Sequence, residues 1–147
     1  ENVFYMICGQ GKLKERLMRY AKRLGVADRI CIPGFLEQID KVYQAADLFV
    51  FPSYQEGMPA ALMEAMAAGL PCVVSDIRGN RELIDDKAFR FIPGHAVQLQ
   101  IILGRLLKDE KLRDVCGAYN QKKICAYSLA AVQKRMMKIY QWMEEVR

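Results

Sequence analysis

Glu56-Gly57-Met58-Pro59-Ala60-Ala61-Leu62-Met63-Glu64-Ala65-Met66-Ala67-Ala68-Gly69-Leu70-Pro71-Cys72-Val73-Val74-Ser75-Asp76 is the stretch on which the reading of the fold turns. Just before it, Leu48-Phe49-Val50-Phe51 is apolar throughout and reads as a strand. Cys72-Val73-Val74-Ser75 near its end reads as another. Between them residues 59–68 read as a helix, with proline in its first turn and Gly69 just past its end. Strands apolar on both faces, joined through helices, imply a parallel sheet covered on both sides.

The alternation continues outward. Upstream, residues 3–8 read as a strand, broken by Gly9-Gln10-Gly11. Residues 12–24 carry apolar side chains at Leu13, Leu17, Met18, Ala21 and Leu24, a helical spacing that Gly25 ends. Residues 29–32 form a second short strand, closed by Pro33-Gly34, and residues 38–46 a short helix. Downstream come a helical turn at 81–84 and a fifth strand at 89–92. Helices at 97–107, 110–124 and 129–146 follow, with Asp109 and Ser128 as N-caps. The expected fold class is α/β: a Rossmann-like parallel sheet with helices on both faces and a helical C-terminal tail.

Composition agrees. The chain has 147 residues, 52% hydrophobic and 27% charged. That suits one domain over residues 1–147 and excludes a disordered chain. No apolar run approaches the roughly 18 residues of a membrane span. No signal peptide is expected, and the start at Glu1 suggests a piece of a longer protein. The net charge of +5 leaves open nucleic acid, an anionic membrane surface, a phosphorylated ligand or no partner at all. The five cysteines are odd in number and lack a C-x-x-C pair, which points to a reducing, cytoplasmic setting. His95, the only histidine, has no cysteine near it in sequence, so a zinc site is not expected.

Parallel sheets bind ligands at the carboxyl ends of their strands, so the loops after Cys8, Ile32, Phe51 and Ser75 are expected to share an edge. There Glu56-Gly57-Met58-Pro59 precedes a helix whose first N–H groups, at Ala60, Ala61 and Leu62, lack helical partners. With the helix dipole they make an anion site suited to a diphosphate, and Gly57 allows close approach. Any strand-to-helix loop of this class shares part of that character. Glu56 and Glu64 do not suit a glycosidase pair. Eight residues of helix rise roughly 12 Å, whereas such carboxyls stand about 5 to 9.5 Å apart. Glu64 is the lone charge among Leu62, Met63, Ala65, Met66 and Ala67, and so is expected to be buried. It leans toward the helix start, where it would accept hydrogen bonds from ribose or sugar hydroxyls. Gly9-Gln10-Gly11 is no dinucleotide fingerprint, because Lys14 occupies the sixth position. Gly79-Asn80 is a turn on the same edge, a plain loop as readily as a ligand contact.

The Glu56-to-Glu64 spacing within this stretch resembles the Glu-x7-Glu signature of glycosyltransferase family 4, retaining enzymes of the GT-B fold that use nucleotide sugars. Other landmarks match in order: Ile7-Cys8-Gly9-Gln10-Gly11, Leu24-Gly25-Val26 with Arg29-Ile30, Pro33-Gly34-Phe35, and Tyr43-Gln44-Ala45-Ala46-Asp47. Arg78-Gly79-Asn80-Arg81-Glu82-Leu83-Ile84 and Tyr127-Ser128 follow, so the likeness covers nearly the whole chain. It implies that Glu56 contacts donor-sugar hydroxyls as the catalytic-centre carboxylate and that Glu64 holds the nucleotide ribose. Amides around Gly57, Met58, Ala60, Ala61 and Leu62 would cradle the diphosphate. Gly9 and Gly11 would line the cleft near the donor phosphates, and Pro33, Gly34 and Phe35 would lie beside the base.

Two departures stand out. Met58-Pro59 replaces the frequent Phe-Gly, and His95 replaces a common aspartate cap. His95 is read as an exposed cap-region residue. The resemblance also implies an N-terminal acceptor domain, and an arginine and lysine for the leaving diphosphate, all preceding Glu1. Without them the chain alone is expected to be inactive. It implies no cofactor. A UDP-sugar is the favoured donor substrate, and bacterial polysaccharide or glycolipid synthesis the setting. No Asp-x-Asp pair occurs, so no metal is expected.

Lys12, Lys14, Arg16, Arg19, Lys22 and Arg23 against Glu15 read as a solvated basic face, or as one that allows peripheral association at an inner membrane surface. The last helix reads as a packing face. Two alternatives stay open: a GT-B-like nucleotide-sugar epimerase, which would need further acids and a histidine, and a nucleotide- or nucleic-acid-binding module. No aromatic-basic interleaving supports nucleic acid.

Overall fold

The computed structural model describes residues 3–146. Contacts divide it into two compact units, one ending at Ile39 and the other starting at Asp40.

In the first unit, β1 (Tyr5–Cys8) and β2 (Ile30–Gly34) pair in parallel. They are joined through α1 (Lys14–Arg23) and a short 3-10 turn at Ala27–Arg29. The register runs Tyr5 to Ile30 and Met6 to Cys31, then shifts so that Cys8 faces Gly34. Pro33-Gly34 therefore extends β2 where the sequence suggested its end. An extended proline is tolerated where its missing N–H is not needed. Gly34 uses its carbonyl to accept from Gly9 N–H at 2.8 Å and then turns at φ +92°, where glycine alone is comfortable. The turns after both strands thus share one edge of this pair. The expectation of two covered faces does not hold for β1, where Tyr5, Met6 and Cys8 are exposed. Among the described residues β1 has one strand neighbour, and α1 packs on β2.

The second unit holds α2 (Ile39–Ala45, its first residue at the division), β3 (Phe49–Phe51), α3 (Ala60–Ala67), β4 (Cys72–Ser75), α4 (Arg78–Leu83) and β5 (Arg90–Phe91). Then come α5 (Ala96–Lys108), α6 (Glu110–Ile124) and α7 (Leu129–Glu145). The three strands lie parallel in the order β3-β4-β5. All four residues of central β4 are buried, as an apolar strand in a covered parallel sheet should be. Val73, Phe91, Ile102 and Leu106 form the core on one side, and Leu62, Ala65 and Met66 of α3 are fully buried. Each large side chain removed from water here contributes about 1.5–3 kcal/mol.

The end of α3 is locked twice. Gly69 takes φ +80°, its N–H donates to Met66 O, and Leu70 N–H reaches back to Ala65 O, a Schellman closure. α6 then crosses it. Asn120 Nδ2 donates to Leu70 O at 2.8 Å and Gln121 Nε2 to Ala67 O at 3.2 Å, while Gly117 rests on the Gly69 backbone. Lys123 Nζ bridges to Asp85 at 3.0 Å. Asp109 and Ser128 cap α6 and α7 through their side chains, as their sequence positions suggested. α7 has no buried residue; Met136, Met137, Ile139, Tyr140, Trp142 and Met143 are exposed. Among the described residues no helix is long and apolar enough to cross a membrane.

Candidate functional site

The carboxyl ends of β3 and β4 carry the segment from Pro52 to Pro59 and the start of α4. A buried polar ladder ties them together. Ser75 Oγ, fully buried at the end of β4, donates to the Ser53 carbonyl just past β3 and lies 3.4 Å from Phe51 O. Asn80 of α4, also fully buried, donates through Nδ2 to Ser75 O at 2.9 Å and to Ser75 Oγ at 3.2 Å. Buried polar groups are costly unless paired, and paired ones fix geometry.

Gly79 completes the clamp. A Cβ there would overlap the Gly57 carbonyl oxygen and lie 2.6 Å from Glu56 O and 3.0 Å from Glu56 C. The backbone of the Glu56-Gly57 loop therefore lies directly against α4. Glu56 is half-buried there, and Gly57 and Met58 are exposed. The loop feeds α3, whose N-cap residue, Pro59, makes no side-chain cap hydrogen bond. By contrast, α5 is capped by His95 Nδ1, which accepts from Gln98 N–H at 3.2 Å. The N–H groups of Ala60, Ala61 and Leu62 thus open α3 beside a carboxylate and a bare glycine, an arrangement suited to an anion.

Glu64 departs from expectation. It is exposed, not buried. Ala60, Glu64 and Ala67 form the outer stripe of α3, and alanines hide an outer face from any polarity pattern. The carboxylate has a protein partner instead: Tyr43 Oη donates to Glu64 Oε2 at 3.2 Å. Tyr43 and Ser75 carried no assigned role in the sequence, and Asn80 was read only as part of a turn on the ligand edge. Tyr43 lay within a landmark of the resemblance, which was its one available signal.

Glu56, Glu64 and the α3 N-terminus fall in the second unit; Gly9, Gly11, Pro33, Gly34 and Phe35 fall in the first. Within the first, Gly9 and Gly34 are joined by the hydrogen bond above, and Phe35 is exposed. His95 is an exposed N-cap, as expected.

Asp76, next to Ser75, forms the charged rim. Its Oδ1 receives Arg81 Nε at 2.8 Å and Arg90 Nη1 at 3.1 Å. The Arg81 hydrogen bond, aided by the Arg90 charge, holds its carboxyl below its ordinary range against the opposing effect of burial. A carboxylate with a depressed folded-state pKa adds stability above its unfolded value of about 3.9 and loses it as pH falls through the folded value. Asp76→Asn is therefore expected to lower stability at neutral pH. The gap between parent and variant urea midpoints should narrow as pH drops below about 4. A gap that stays constant through this range would show that the Asp76 charge does not stabilise the fold.

The sequence profile of the family described as glycosyl transferases group 1 matches residues 1–123. A UDP-Gal:alpha-D-GlcNAc-diphosphoundecaprenol alpha-1,3-galactosyltransferase of Escherichia coli is 37% identical over 89 residues, covering 60% of this chain and 23% of its own length. The amylovoran biosynthesis glycosyltransferase AmsK of Erwinia amylovora is 37% identical over 116 residues, covering 72% of this chain and 28% of its own. The chain thus spans less than a third of the length of either relative. Among solved structures, Anabaena HepE in complex with UDP superposes with a TM-score of 0.86 at 21% identity, over 95% of this chain and 41% of HepE. That likeness shows the fold: a Rossmann-like parallel α/β arrangement with a helical tail.

Proposed function

The chain belongs to the glycosyl transferases group 1 family, and on that premise we propose that it is the donor-binding half of a retaining glycosyltransferase of family 4. The substrate is a nucleotide-diphosphate sugar. The observation that carries this reading is the Glu56-Gly57 loop, pressed against Gly79 and opening the N-terminus of α3. In this reading the α3 amides receive the diphosphate, Glu56 the sugar hydroxyls and Glu64 the ribose. Fixed dipoles aimed at a leaving diphosphate stabilise charge as it develops. In the same reading Gly9 and Gly11 serve the donor phosphates, and Pro33, Gly34 and Phe35 serve the base. The acceptor domain, and the cations that neutralise the leaving group, belong to the rest of the protein.

UDP is the favoured nucleotide. The Escherichia coli relative is named for UDP-Gal, and HepE was solved with UDP and with UDP-glucose. The AmsK name supports polysaccharide synthesis as the setting. An epimerase reading would require a free histidine, whereas His95 Nδ1 serves as a helix cap.

A calorimetric titration with UDP, GDP, ADP and UDP-glucose tests the reading. UDP and UDP-glucose are expected to saturate the chain, and Glu64→Ala to weaken UDP about tenfold or more through loss of charge-assisted hydrogen bonds. Unchanged UDP affinity in Glu64→Ala would remove Glu64 from the site.

A further inference from the structure

Tyr43 reaches Glu64 from another element. The residue is 8% exposed, and its ring meets Phe49 edge-on at 5.9 Å and 72°. Phe49 in turn stacks on Phe51 of the same strand at 5.8 Å. The ring is therefore fixed by packing against β3, and its hydroxyl is delivered to a set place over α3. That hydroxyl lies 3.2 Å from Glu64 Oε2 and 3.3 Å from the Ala61 carbonyl. One O–H carries one proton, and an ionised carboxylate is the stronger acceptor.

An exposed glutamate on a helix samples many rotamers, and ordering it when a ligand arrives costs conformational entropy. A buried tyrosine that holds one carboxylate oxygen removes much of that cost before the ligand arrives. It also fixes which oxygen stays available. We propose that Tyr43 is a positioning residue for nucleotide recognition: its hydroxyl holds Glu64 Oε2 and so presents Oε1 to the ribose hydroxyls. This rests on the donor-site reading of Glu64 and adds the element that orients it. Tyr43 need not touch the nucleotide.

The experiment is a double-mutant cycle read by UDP titration on the parent, Tyr43→Phe, Glu64→Ala and the double variant, with a melting curve for each. Phenylalanine keeps the ring that packs on Phe49 and removes only the hydroxyl. Tyr43→Phe is expected to weaken UDP about tenfold, the usual scale of a hydrogen bond to a charged group. In the Glu64→Ala background the same change should add less than about twofold, because the partner is already gone. A UDP analogue lacking both ribose hydroxyls, 2′,3′-dideoxyuridine diphosphate, should bind the parent and Tyr43→Phe equally.

Weakening by the same factor in both backgrounds would overturn the inference, since Tyr43 would then act through packing alone. So would unchanged UDP affinity in Tyr43→Phe alongside weakened affinity in Glu64→Ala. Unchanged affinity in Glu64→Ala itself would overturn the donor-site reading, and this inference with it.

Discussion

Gly117→Ala is expected to destabilise the chain by about 3 kcal/mol, a fall in melting temperature of roughly 10 °C. Intrinsic propensity argues the other way. Gly117 lies inside α6, where alanine is better than glycine by about 1 kcal/mol. The crossing with α3 decides the sign. A Cβ at Gly117 would overlap the Gly69 carbonyl oxygen, with the Gly69 carbonyl carbon at 3.1 Å and Pro71 Cδ at 3.8 Å. The first two are backbone atoms, and Gly69 is already committed to the turn that closes α3. The methyl can be admitted only if α6 lifts. Lifting α6 weakens the Asn120 bond to Leu70 O and the Gln121 bond to Ala67 O together. Gly104→Ala on α5 is the control, since among the described residues no atom beyond its neighbours and its own helix backbone lies within 4 Å of its Cβ position. It should be neutral or slightly stabilising in the same thermal melts. Equal melting temperatures for the two variants would show that the α3–α6 crossing is looser than described.

Gly79→Ala is expected to act on function more than on stability. The added Cβ would meet the carbonyls of Glu56 and Gly57, so either α4 or the loop must move. α4 is anchored by the buried Asn80, whereas Gly57 and Met58 are exposed. The loop therefore yields. A shift of about 1 Å in groups that position a reacting substrate can cost on the order of 100-fold in rate. On the proposed function, sugar transfer by the whole protein is expected to fall by that order, with a melting temperature only a few degrees lower. Transfer at the parental rate would mean that the Glu56-Gly57 backbone does not position the donor.

Much of this was legible in the sequence, for reasons that differ by element. α6 spans the expected residues because Asp109 caps its start, although the face it buries is made of Gly117, Asn120 and Ile124. β4 does so because its run of apolar and β-branched residues has one reading. α4 was seen only as a turn at 81–84, yet it begins at Arg78. Gly79 and Asn80 look like loop formers, and tertiary contacts to Glu56, Gly57 and Ser75 override that preference. The burial of Glu64 was misjudged because alanine and methionine do not reveal which side of a helix faces water. Tyr43 stood as a motif letter without a role. Its partner lies 21 residues away, and no local periodicity announces such a pairing.

The ladder from Ser53 through Ser75 to Asn80 has a consequence for the timing of order. A free loop must surrender about 1–2 kcal/mol of backbone entropy per residue when a ligand fixes it. Here the anchoring partners are buried residues of β4 and α4, so the start of this loop takes its shape as the sheet assembles. Folding absorbs that part of the ordering cost, and a ligand meets a segment already partly set. Binding of this kind draws on preorganisation, with correspondingly less affinity spent on shaping its own receptor.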